Sequence, residues 1–110
     1  MTIDFLLLQT EPVKEKLRNL QKYLPGQSPL VYEFGKYLAD YLHPELYPEG
    51  FSLMCRTALQ YIKQGKDFRD RPISKALVGH DPKIYERLEN TIPQIIDAVC
   101  PPEFARAVKG

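Results

Sequence analysis

The sequence predicts an all-α fold, a single compact bundle of four to six short helices, on three observations. Ten prolines in 110 residues fall almost entirely where a helix would start or stop. Apolar residues recur three and four positions apart, and no stretch sustains the period-two alternation of a half-buried strand. The 44% of hydrophobic residues can fill one core, so residues 1–110 form one domain.

Residues 1–9 contain the apolar run Phe5-Leu6-Leu7-Leu8. Helix is favoured there, since a lone strand would find no partner, and the segment either docks on the bundle, exchanges between subunits or stays mobile until a partner covers it. Asp4 precedes the run and Glu11 follows it, which fits neither a signal peptide nor a membrane span. Thr10-Glu11-Pro12 then supplies an N-cap and a first-turn proline, and Val13, Leu17, Leu20 and Leu24 recur at helical spacing until Pro25-Gly26.

Ser28-Pro29 is the clearest start signal. The helix it opens extends to about Leu42, with Leu30, Val31, Phe34, Tyr37, Leu38, Tyr41 and Leu42 inward and Glu33, Lys36 and Asp40 in water. This helix belongs at the centre of the bundle, and Gly35 permits a close crossing. His43 to Gly50 reads as a loop. A third helix from Phe51 to Gln64 presents Phe51, Cys55, Ala58 and Ile62 to the second, with Gly65 at the left-handed stop.

Pro72 to Val78 reads as two further helical turns closed by Gly79, and Asp81-Pro82 starts the next helix. Ile84, Leu88 and Ile92 share its inner face. Pro93 kinks or ends it before a second piece holding Ile95, Ile96 and Val99, which Asn90 or Thr91 caps. Pro101-Pro102 stops the chain again, ahead of a short segment with Phe104, Ala105, Ala107 and Val108.

Chemistry-bearing patterns are sparse. His43, Glu45, His80, Asp81 and the two cysteines are metal-ligating types, yet no two share a ligand spacing on one helix face, and both histidines follow helix ends where an imidazole interacts with terminal carbonyls. Cys55 and Cys100 sit among apolar neighbours, as buried thiols of a reducing compartment do. No nucleophile, phosphate-loop or carboxylate constellation stands out. The expectation is a cytoplasmic protein without catalytic residues, metal or cofactor.

Net charge is only +1, but eight basic and four acidic side chains lie between Arg56 and Arg87. Lys66, Arg69, Arg71 and Lys75 are the phosphate-binding candidates within that segment. Pro72 to Thr91 follows the outline of a helix-turn-helix, but Ala76 precedes the turn glycine by three positions where that motif has four, and no role is carried over from it. The favoured function is protein interaction, with a partner or a second copy, through an aromatic-acidic surface carrying Tyr32 and Tyr47 together with Phe5 and Leu8. Nucleic-acid binding by the basic segment is the alternative.

Overall fold

In a computed structural model the described residues are 11–42, 48–68, 70–100, 102 and 106. Among them five α-helices form an all-α bundle: α1 (Glu11–Arg18), α2 (Leu20–Tyr23), α3 (Pro29–Ala39), α4 (Pro48–Lys63) and α5 (Pro82–Val99), with one 3-10 turn at Lys75–Leu77. The Cα radius of gyration is 13.0 Å, that of a compact chain of this length. No helix among the described residues is long and apolar enough to cross a membrane. Phe5, Leu8, Thr10, Tyr47, Arg69 and the segment holding Phe104, with the expectations placed on them, lie outside the described residues, although Pro102 and Arg106 are helical.

The first long helix is interrupted at Asn19, a break the apolar spacing does not announce. Asn19 adopts φ −113° and ψ 35°, and its side-chain Nδ2 donates to the Glu15 carbonyl at 2.9 Å, beside its own backbone amide. An asparagine that bonds nearby backbone competes with the helix ladder. Val13, Leu17 and Leu20 are nevertheless all buried, because the short break keeps the stripe on one side. Gly26 (φ +87°) then turns the chain into α3.

All seven apolar residues assigned to the inner face of α3 are buried, and α3 touches α1, α2, α5 and the 3-10 turn, which makes it central. Gly35 explains the closest of these approaches. A Cβ there would lie 2.5 Å from the Leu17 carbonyl oxygen. The helix stops at Ala39 rather than Leu42, since the amides of Asp40 and Tyr41 tighten onto Tyr37 and Leu38. Ser28 holds the N-cap position with extended backbone but makes no side-chain cap bond, leaving Pro29 to set the start.

Pro48 opens α4 three residues before the expected start, using its fixed φ as a first-turn residue. The stripe Phe51, Cys55, Ala58 and Ile62 is fully buried, yet α4 packs chiefly along α5 rather than α3. The reason is the width of the apolar face of α5, where Tyr85, Leu88, Thr91, Ile92, Ile95, Ile96 and Val99 are buried. α5 also runs unbroken through Pro93. The missing amide there deprives the Glu89 carbonyl of its partner, but both residues are exposed and water can replace the bond. Thr91 caps nothing; its hydroxyl donates back to the Arg87 carbonyl at 2.6 Å.

Both thiols are free and buried. Burial drives the Cys55 thiol well above its ordinary value and pushes Cys100 up to about 12. An unfolded thiol titrates near 9.0, so above that pH the unfolded chain binds fewer protons than the folded one. Stability from this source is complete below pH 9 and is lost as pH climbs towards 12. The unfolding free energy from urea denaturation is expected to fall across that window, by at most about 1.4 kcal/mol per pH unit per thiol, and less steeply in Cys100→Ala. An identical slope in that variant would contradict the assignment.

Candidate interaction surface

The connection from Lys63 to Pro82 positions every feature of the surface. It begins with a tight stop: Gly65 (φ +70°) donates to the Ile62 carbonyl at 3.0 Å, and Lys66 donates to Tyr61 at 2.9 Å. This paired pattern is a Schellman cap. The chain next turns at Asp70, whose φ of 61° is one that few residues other than glycine adopt, so that Arg71 donates to the Phe68 carbonyl at 3.0 Å.

Tyrosine hydroxyls from the bundle hold this connection down. Phe68 donates its amide to the Tyr37 hydroxyl at 3.2 Å, and the Tyr41 hydroxyl donates to the Arg71 carbonyl at 3.2 Å. The rings of Tyr37, Tyr41 and Phe68 stack edge to face, with centroids 4.2 and 4.8 Å apart. Both phenols lie on the inward face that the sequence assigns to them and are buried; their hydroxyls, expected to reach the surface, bond to the connection instead, and burial raises their pKa values.

Pro72 to Val78 is not the two-turn helix expected, nor the first helix of a helix-turn-helix. Ile73 gives its amide to the Asp67 carboxylate at 3.0 Å, and Ser74 caps only the 3-10 turn, accepting from Ala76 at 3.3 Å. Local side-chain partners of this kind displace helix. The Ser74 hydroxyl also donates to Glu33 on α3 at 2.9 Å. Leu77 is fully buried, and the Tyr85 hydroxyl donates to its carbonyl at 2.5 Å. Gly79 (φ +81°) then leads to Asp81, whose carboxylate caps α5 by accepting from Lys83 at 2.9 Å.

The outcome is a groove of about 410 Å³ between the end of α4 and the start of α5. Ile62, Pro82 and Tyr85 contribute apolar surface, with Val78 beside them, 51% exposed. Lys63 and His80 line the same groove, and the His80 Nε2 donates to the Ala76 carbonyl, the turn-end role expected of it. Among the described residues, no carboxylate lies within ion-pair distance of Lys63, Lys66 or Lys83. A surface of this composition can hold an apolar side chain and attract negative charge.

The residues singled out in the sequence are distributed differently. Lys66, Arg71 and Lys75 are exposed; the Arg71 carbonyl is tied to Tyr41, just past α3, and Ser74, next to Lys75, to Glu33 on α3. Tyr32 is half-buried, with the Lys36 ammonium 5.2 Å from its ring centroid and Lys36 also 3.6 Å from Glu33. It belongs to a local cluster on α3. Val78 and Lys63 were missed, although the glycines that frame the groove, Gly65 and Gly79, were read as turn residues. The signal present was an apolar residue next to a left-handed glycine and flanked by cations.

No cluster of three metal-ligating side chains occurs among the described residues. No known protein family, curated protein or solved structure matches the chain.

Proposed function

We propose that this protein is a small non-catalytic interaction domain, a regulator, adaptor or subunit that engages another protein through the groove beside Val78. The observation that carries the reading is Val78 itself. It stands half in water while the residue before it is buried and hydrogen-bonded through its carbonyl to Tyr85. A large apolar side chain held exposed on a fixed support is a common contact element, because little ordering entropy remains to be lost on binding. Buried, free thiols suit a reducing, cytoplasmic setting.

A photocrosslinking residue at position 78, introduced in cells, is expected to yield a discrete protein adduct. The same group at position 53, where Leu53 is 66% exposed on α4 away from the groove, is expected to yield none. Equal labelling at both positions, or none at 78, would remove the basis for this assignment. Exposure of Lys66, Arg71 and Lys75 supports nucleic-acid binding as the second reading. That reading requires duplex or single-stranded binding that weakens steeply with salt.

A further inference from the structure

We infer that the occupant of the groove is an acidic segment of a partner polypeptide, one that places a single apolar side chain against Val78 and carboxylates against Lys63 and Lys66. The inference rests on the interaction reading and adds the chemistry of the partner.

Charge complementarity and the composition of the groove argue for this occupant together. Tyr85 has committed its hydroxyl to the Leu77 carbonyl, so it offers the groove ring carbon and no donor. Ile62 is buried beneath, and Val78 and Pro82 add aliphatic surface. A ligand that leaves this surface wet forfeits the largest favourable contribution available, which disfavours a bare phosphate backbone. The cations supply the second requirement. Lys63 lines the groove, Lys66 lies one residue past Gly65, and Lys83 lies in the first turn of α5. None has a carboxylate partner among the described residues.

Asp81, next to His80, accepts the first-turn amide of Lys83 and keeps its negative charge. His80 has its Nε2 on the Ala76 carbonyl. Lys63, Lys66 and Lys83 nevertheless outnumber Asp67 and Asp81 on the segments that frame the groove, so its rim is net positive. Unpaired lysines around an apolar floor favour a carboxylate-bearing partner and disfavour a basic one. At about 410 Å³ the groove is near the low end of the 300–1,000 Å³ typical of small-ligand pockets, room for one side chain and not for a folded domain.

The test is fluorescence anisotropy with labelled synthetic octapeptides: a leucine among glutamates, a leucine among glutamines, a leucine among lysines, and glutamates with no leucine. A duplex of mixed sequence is included, and light scattering at each concentration reports self-association. The proteins are wild type, Val78→Asp, Lys63→Glu/Lys66→Glu, and Leu53→Glu as a control away from the groove.

The acidic leucine peptide is expected to bind roughly tenfold more tightly than the glutamine version. That preference should vanish in Lys63→Glu/Lys66→Glu, binding should drop about tenfold or more in Val78→Asp, and Leu53→Glu should change neither. Equal binding of acidic and glutamine peptides, still lost in Val78→Asp, would overturn the acidic chemistry while leaving the interaction reading intact. Equal binding of acidic peptides with and without leucine, or duplex binding indifferent to Val78→Asp, would overturn the apolar anchor. A dimer that Val78→Asp dissolves would identify a second copy as the occupant and overturn the inference. Absence of binding to every peptide, together with no adduct at position 78, would overturn both this inference and the reading beneath it.

Discussion

Replacing Gly35 by valine is expected to lower the unfolding free energy by roughly 3 kcal/mol or more, a large share of the 5–15 kcal/mol ordinary for a domain. Two effects oppose each other at this position. Any side chain improves helix propensity, by about 1 kcal/mol for alanine. Against that, the first added carbon would stand 2.5 Å from the Leu17 carbonyl oxygen and press on the Leu20 side chain. Leu20 can rotate, but the Leu17 oxygen is backbone in the last turn of α1 and yields only if α1 moves off α3. Gly35→Ala should therefore also destabilise, by about 1–2 kcal/mol, whereas Lys36→Ala, one residue along on the exposed face, should change stability by about 0.5 kcal/mol or less. Urea denaturation of the three variants checks this. A higher midpoint for Gly35→Ala would mean that α1 and α3 do not cross at this point.

Leu77→Ala carries the second large effect, a loss of about 3 kcal/mol. Leu77 is fully buried, although the chain on either side of it runs along the surface. Truncation leaves a cavity under the connection between α4 and α5 and weakens the support of the Tyr85–Leu77 hydrogen bond. The damage should be local before it is global. Hydrogen exchange should accelerate at the Phe68, Arg71 and Ala76 amides, which are bonded to tyrosine, turn and serine partners of that connection, while α5 amides keep the protection set by global unfolding. Uniform loss across the chain would show that the connection and the helices unfold as one unit.

Elements bounded by proline or glycine were legible in the sequence because those residues act on the backbone directly. Ser28-Pro29 and Asp81-Pro82 mark the starts of α3 and α5, and Gly26, Gly65 and Gly79 all adopt positive φ. Gly35 was legible as a crossing point for a related reason, since a missing side chain in an otherwise crowded face needs a neighbour. The failures arise where side chains redirect the backbone. Asn19 divides α1 from α2 by bonding Glu15, and Asp67 and Ser74 unwind the segment before Leu77, all through contacts that periodicity does not register. The partner of α4 was misjudged because an apolar stripe states that a helix is covered and not by which element.

The surface was less legible than the core for a similar reason. Lys66, Arg71 and Lys75 lie close in sequence, and bonds to Tyr37, Tyr41 and Glu33 fix the course of the backbone between them, which linear charge density does not register. Val78 was assigned to a helix, and only the actual course of the chain exposes it.

The aromatic cluster that pins the connection also determines how the molecule interacts with light. The chain has seven tyrosines and no tryptophan. Tyr37, Tyr41, Phe68 and Tyr61 lie in successive ring contacts, the last with a centroid separation of 5.3 Å. Fixed chiral packing of this kind dominates near-ultraviolet circular dichroism, and that signal vanishes when side-chain packing loosens even if helices persist. The near-ultraviolet spectrum of this protein thus carries a contribution that follows the seating of the Phe68 segment on the tyrosines of the bundle, separately from the helical content recorded in the far ultraviolet.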